Sequence, residues 1–425
     1  MSAAGGARAV ARCDRLGLPP YSDLPDRLYR AYLTPAYEAA QGALAQWMQE
    51  AGMTVRLDPA ANLIGRYEGL RDGPALLIGS HIDSVRDGGR YDGPLGVMLG
   101  IEAVAALHGA GRRLAYPIEV IAFGDEEGSR FPAAMLTSRA VAGTLDADLA
   151  AIGDTAGLNV VDALRTYLSR ARIPNLASPP GMTSFASARR VPGSTLAYLE
   201  AHIEQGPVLE AEGLALGVVT SIAAQHRYAL TVRGQAGHAG TMPMSLRRDA
   251  LAGAARMVLA AEAIARGGEN GLVATVGRLE ALPGAANVVP GEARFTLDVR
   301  AGDDATRDAA AGAILDAFQI IARERGLTLT SSLLQNLPAS PCAPHLIAML
   351  DGAMAAEGFV PRRLVSGAGH DAMIMAAHCP TAMLFIRCRD GISHNPAEHV
   401  EAADADAALT VMLAFMERLQ NETAA

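Results

Sequence analysis

Apolar positions along the chain recur at two periods. Over residues 35–51 the spacing of Ala, Leu, Trp47 and Met48 predicts an amphipathic helix, because side chains three and four apart share a face. Residues 53–67 alternate around a turn at Asn62, which predicts a hairpin. Short apolar runs at 75–79 and 118–123 then flank a helical stretch at 93–107. That order predicts βαβ units and a mostly parallel sheet flanked by helices, hence an α/β fold.

A second module follows. Residues 218–232 read as strand, 247–265 as helix, 272–279 and 293–299 as strands, 303–325 as helix and 327–334 as strand. The order β-α-β-β-α-β is the ferredoxin-like signature. The expected organisation is a large domain at 1–211 and 331–425, with a small α/β domain inserted at 212–330. Residues 342–357 then read as helix, 382–386 as strand and 402–419 as helix, while 171–188, rich in Pro, Ser and Gly, reads as a surface loop.

Composition narrows the picture. At 425 residues the chain exceeds one hydrophobic core, which agrees with two domains. Half the residues are hydrophobic and 19% are charged, so a large core is available. Every basic residue is Arg, which excludes a Schiff-base lysine, a pyridoxal-phosphate anchor and a Walker-A loop. A net charge of −9, with Arg247 and Arg248 the nearest approach to a basic cluster, argues against nucleic acid. Four cysteines without CxxC spacing predict free thiols in a reducing compartment. The first ten residues lack a signal-peptide core, and no run approaches the roughly 18 apolar residues of a membrane span. A cytoplasmic protein with no membrane partner is expected.

Five places set His, Asp or Glu at or just beyond a predicted strand or turn: His81 with Asp83; Asp92; Asp125 with Glu126 and Glu127; Glu200, His202 and Glu204; and His394. In an open parallel sheet, ligands bind outside the carboxyl ends of the strands, so side chains remote in sequence converge there. Imidazoles mixed with carboxylates suit Zn²⁺ or Mn²⁺, and Asp92 is placed to bridge two ions about 3.5–4 Å apart. Each residue alone has an ordinary reading. A lone His after a strand is commonly a hydrogen-bonded loop residue, and adjacent glutamates are commonly a solvated pair. His-x-Asp shifts the balance for His81, because Asp83 can hold its second ring nitrogen. Two like charges ending an apolar strand are costly unless something positive is near. The ordinary readings become hard to sustain only for all five places together.

The inserted module has its own motifs. Gly237 to Gly240 is a flexible loop carrying His238, and Asn287 lies in a turn before the strand that ends at Arg300. Taken singly, Asn287 is a turn residue and Arg300 a surface charge. The run Gly367-Ala368-Gly369-His370-Asp371 is either another site loop or a helix N-terminus.

These residues resemble the dinuclear-metal M20 amidohydrolases, in the subgroup of allantoate amidohydrolases, N-carbamoyl-L-amino-acid hydrolases and β-ureidopropionases. The matching strings are GSHIDSV, GGRYDGPLGV, GDEEGSRFP, EAHIEQGPVLE, GHAGTMPM with RRDA, NVVPG, SGAGHDAM and GISHNPAE, spread over most of the chain. The resemblance implies a catalytic α/β domain and a lid that also makes a homodimer. It implies two divalent ions per subunit, Zn²⁺, Mn²⁺ or Co²⁺, bridged by Asp92. His81 and His202 would complete one site, Glu127 and His394 the other. Glu126 would be the general base and Asp83 would orient His81. His238 would reach the neighbouring subunit's site and steady the oxyanion. Gln205, Asn287 and Arg300 would contact a small ureido substrate, with Gly369 and His370 beside them and His226 at the pocket rim. The segments around Arg12, Arg30 and Arg387 look most like bacterial allantoate amidohydrolases. N-carbamoyl-L-amino-acid hydrolase or β-ureidopropionase is the alternative, and a metal-free binding protein of the same fold is the contrasting class.

Overall fold

The apolar runs become the strands of a large sheet in a computed structural model, which describes residues 5–145, 148–171, 173, 176 and 184–423. Strands follow one another across the sheet in the order Thr54–Leu57, Leu63–Tyr67, Ile118–Phe123, Ala75–His81, Thr195–Ile203, Thr381–Ile386 and Leu216–Ile222. The four from Ile118–Phe123 to Thr381–Ile386 are parallel, with His81 opposite Phe123 and His202 opposite Phe385. Ala75–His81, Ile118–Phe123 and Thr381–Ile386 are buried at every residue, as strands covered on both faces must be. The expected hairpin forms, pairing Thr54 with Arg66 and Leu57 with Leu63. Its turn is closed by Asp58, which accepts N–H groups from Ala60 and Asn62.

Helices flank this sheet. Pro94–Gly109 is apolar on nearly every side and is buried along most of its length, as a helix inside a large core should be. Pro35–Glu50 is capped by the Thr34 hydroxyl, which accepts the Tyr37 N–H. Helix Gly6–Leu16 sends Arg8 and Arg12 to the fully buried carboxylate of Glu102 on Pro94–Gly109.

The chain divides into two units. Met1–Thr220, Cys342–Arg363 and His370–Ala425 make the first; Ser221–Pro341 and Leu364–Gly369 make the second. These bounds differ from 212–330 for a physical reason. The run at 218–232 is two strands, not one: Leu216–Ile222 pairs antiparallel with Thr381–Ile386 in the large sheet, and Ala224–Arg233 opens the second unit. The break at Ala223 carries no Gly or Pro to mark it, so only strand pairing defines it.

In the second unit the antiparallel order is Leu279–Leu282, Glu292–Ala301, Ala224–Arg233, Thr328–Leu337, with Val273–Thr275 also on Glu292–Ala301. With helices Ala250–Arg266 and Asp304–Glu324 this gives the βαββαβ order, its second strand in two pieces. One sheet face packs through Leu230, Val232, Phe295 and Leu297 against Met257, Ile314 and Phe318.

Most of the loop expected at 171–188 lies outside the described residues, and its far end forms the short turn Phe185–Ala188. Among the described residues no helix is long and apolar enough to cross a membrane.

Candidate metal centre

The carboxyl ends of the parallel strands gather the polar residues. His81 ends its strand, Asp125, Glu126 and Glu127 follow Phe123, and His202 sits one residue from the end of Thr195–Ile203. Asp92 lies in the turn into Pro94–Gly109. There Gly93 has φ of +83°, and a Cβ on it would stand 2.5–2.6 Å from three atoms of the His81 ring. Only glycine lets the bridging turn and the imidazole approach so closely.

The two buried imidazoles are oriented by main-chain carbonyls. His81 Nδ1 lies 3.1 Å from the Asp83 carbonyl and His202 Nδ1 lies 2.9 Å from the Ile203 carbonyl, so both turn Nε2 inward. His81 Nε2 and His202 Nε2 stand 3.6 and 3.1 Å from Asp92 Oδ1. His394 Nε2 stands 3.3 Å from the other oxygen, Oδ2, and 3.4 Å from Glu127 Oε1. Ligand atoms of His81, Asp92 and His202, of Asp92, Glu127 and His394, and of His81, Glu126 and Glu127 each fall within 4.8 Å of one another. The Asp83 carboxylate is 3.7 Å from His81 Nδ1 and instead accepts the N–H groups of Glu126 and Glu127. It shapes the glutamate turn, while its carbonyl holds the ring.

The donor set is short of positive charge. Asp83, Asp92, Glu126, Glu200 and Asp371 are all buried here. Burial first, then the nearby charges of Asp371, Glu127 and Asp83, push the Glu126 carboxyl well above its ordinary value despite His81. Glu127 is pushed up to about 7, chiefly by burial. Burial opposes ionisation of Asp92 too, but contacts with His202, His394 and His81 outweigh it and hold Asp92 well below the usual range. The hydrogen bond to Asp92 raises His394 to about 9. His202 Nε2 is buried, and Asp92 Oδ1 at 3.1 Å is the group it faces. Inward-facing imidazole nitrogens among crowded buried carboxylates are a donor set that divalent cations satisfy, so these residues fit them.

Further residues support the cluster. Gln205, read as a substrate contact, donates from Nε2 to Asp92 Oδ2 at 2.7 Å and to Ser393 Oγ at 3.1 Å. Glu200 accepts the Ser80 hydroxyl and the Ala372 N–H. Arg30, fully buried, donates to the carbonyls of Ile82, Leu16 and Tyr21, which fixes the segment between His81 and Asp83. Glu398 accepts the N–H groups of Tyr91 and Asp92. Arg30 and Glu398 both lie in strings that carry the family resemblance, the one signal that could have marked them. His370 is buried beside His202, their ring centroids 4.4 Å apart, and burial lowers its pKa well below the ordinary value.

The remaining candidates belong to the second unit. The glycine-flanked loop around His238 is a short ladder, Gly237–His238 on Val288–Val289, which sets Asn287 beside it. His238 is exposed, and its Nδ1 accepts the Gly240 N–H. Arg300 donates from Nε and Nη2 to Asp298 and from Nη1 to the Gly367 carbonyl. His226 contacts Asn336 and Tyr228, its neighbours in the sheet. Gly369 ends the return segment Leu364–Gly369.

An N-carbamoyl-L-amino acid amidohydrolase of Geobacillus stearothermophilus is 42% identical over 87% of this chain and 88% of its own. An allantoate deiminase of Arabidopsis thaliana is 39% identical over 96% and 81%. The solved structure of a putative amidohydrolase/peptidase from Burkholderia cenocepacia superposes with a TM-score of 0.86 at 35% identity, covering 98% of each chain. Residues 77–418 match peptidase family M20/M25/M40, and the chain is a member of that family.

Proposed function

We propose that the chain hydrolyses a C–N bond of a carboxylate-bearing ureido substrate at a site holding two divalent cations. Allantoate is the first choice of substrate, and an N-carbamoyl-L-amino acid or β-ureido acid is the second. The observation that carries this reading is the division of Asp92, with Oδ1 facing His81 and His202 and Oδ2 facing His394. His81 and His202 would hold one ion, Glu127 and His394 the other, and Asp92 would serve both. Mixed nitrogen and oxygen donors accept Zn²⁺, Mn²⁺ or Co²⁺. When bound, such ions lower the pKa of water and polarise a carbonyl.

The chain's own residues supply the proton path and the grip on substrate. Glu126, next in the chain to the proposed ligand Glu127, takes the proton of the attacking water and delivers it to the leaving nitrogen. With Nδ1 accepting from Gly240, His238 carries its proton on Nε2, which makes it a donor to the developing oxyanion. We assign that role across a homodimer, from the lid of one subunit to the site of the other. Of the five N–H groups of Arg300, three are engaged within its own unit and two remain for a substrate carboxylate. Asn287, Gln205, His226, Gly369 and His370 complete the proposed surroundings of the substrate.

Metal analysis and a substrate panel test the reading. Purified protein should carry two ions per subunit and release ammonia from allantoate faster than from N-carbamoyl amino acids. Strong preference for a carbamoyl amino acid would transfer the assignment to the second substrate. Less than one ion per two subunits would point to a non-catalytic binding protein. The allantoate deiminase relative supports the first substrate and the carbamoyl-amino-acid relative the second.

A further inference from the structure

Glu398 is 4% exposed, and a buried carboxylate is costly unless donors surround it. Its donors come from the two loops that carry the proposed ligands Asp92 and His394. Oε1 accepts the N–H of Tyr91 at 2.7 Å and of Asp92 at 3.1 Å. Oε2 lies 3.1 Å from the hydroxyl of Ser393, the residue before His394. The same hydroxyl stands 2.5 Å from Asp92 Oδ2, which closes a ring from the Asp92 main chain through Glu398 and Ser393 to the Asp92 side chain. The first loop also passes tightly over this carboxyl: a Cβ on Gly89 would fall 2.1–2.3 Å from its atoms. A space-filling role would not require one side chain to take donors from both loops.

We infer that Glu398 is a positioning residue that sets the bridging carboxylate of Asp92 against His394, and so fixes the spacing of the two cation sites. The inference rests on the two-cation reading above. Glu398 belongs to none of the clusters of described residues whose atoms lie close enough to share an ion. It acts through Asp92 and Ser393.

The test compares Glu398→Asp with Glu398→Gln by titrating Zn²⁺ alone against a chromophoric chelator, alongside melting of the metal-free proteins. Asp keeps the charge but is one methylene shorter and cannot span both loops. It should weaken Zn²⁺ binding by roughly 10–100-fold, the range for residues that orient metal ligands. Gln keeps the reach, accepting both N–H groups through its oxygen and donating to Ser393, and should restore affinity close to that of the parent. If Glu398→Asp prevents folding, Ser393→Ala breaks the same link from its other end and should weaken binding by about tenfold. Parent protein that binds fewer than two Zn²⁺ per subunit would sink the two-cation reading and this inference with it. Two ions in the parent, held as tightly by Glu398→Asp or, failing that variant, by Ser393→Ala, would overturn the inference alone. Loss of affinity in Asp and Gln alike would also overturn it, since reach would then not be the deciding property.

Discussion

The two units present their polar residues in opposite ways. In the first, His81, Asp92 and His202 are almost fully buried and hold one another at 3.1–3.6 Å. In the second, His238 is exposed, and Arg300 is held by Asp298 and Gly367 of its own unit. The difference suits the two kinds of task proposed for them. Residues that hold cations gain from burial, because a low dielectric strengthens each charge pair and fixes its geometry. Residues that meet a substrate must stay reachable until it arrives.

The largest effect that would sharpen this comparison concerns proton transfer in the buried cluster. Glu126→Gln should keep both metals and lose turnover by roughly 10²–10⁴-fold, the usual contribution of a general acid–base. Full metal content with near-normal rate would remove Glu126 from that role. Next comes the exposed side. His238→Ala should keep its metals and lose rate by roughly 10²–10³-fold, as when one oxyanion donor is deleted. Mixing it with Glu126→Gln should regenerate some active sites if His238 serves the neighbouring subunit, and no recovery would break that assignment.

Smaller effects lie in stability. Cation at 100 times its Kd should add about 2.7 kcal/mol to whatever unfolds as one body with the site. If the units melt separately, only the first should respond in calorimetry, and equal shifts in both would blur the contrast. The pH dependence follows with a definite sign. Glu127 moves from 4.5 up to about 7 and His394 from 6.5 up to about 9. Both bind their protons more tightly when folded, so their contribution is complete below the ordinary values and is lost as pH rises through the raised ones. Metal-free protein should therefore lose melting temperature between about pH 5 and 9, and the gain on adding metal should widen over the same range. A gain independent of pH would mean that these groups do not exchange protons for cations.

Much of this was legible in the chain. Continuous apolar runs at Ala75–His81 and Ile118–Phe123 announced strands buried on both faces, and the acids and histidines at their ends announced where polar groups would meet. The family resemblance supplied the grouping of the ligands, which spacing could not. Illegible were facts made by pairing across the fold. The end of Leu216–Ile222 is invisible because Ala223, which parts it from Ala224–Arg233, is no turn residue and gives no sign that the partner strand changes. Glu398 reads as an ordinary surface acid until the loop over 89–92 closes on it. The Asp83 carboxylate lies 3.7 Å from His81 Nδ1, but the nearer Asp83 carbonyl is a group every residue carries and so leaves no trace in the alphabet.

The order of strands across the large sheet also bears on biosynthesis. Thr381–Ile386 inserts beside Thr195–Ile203, although the ribosome makes it only after the whole second unit. With His394 among the proposed ligands, a nascent chain halted anywhere before that point owns an unfinished cage. By that reading the place proposed for Glu127 and His394 is completed last, whereas His81, Asp92 and His202 all precede the second unit in the chain.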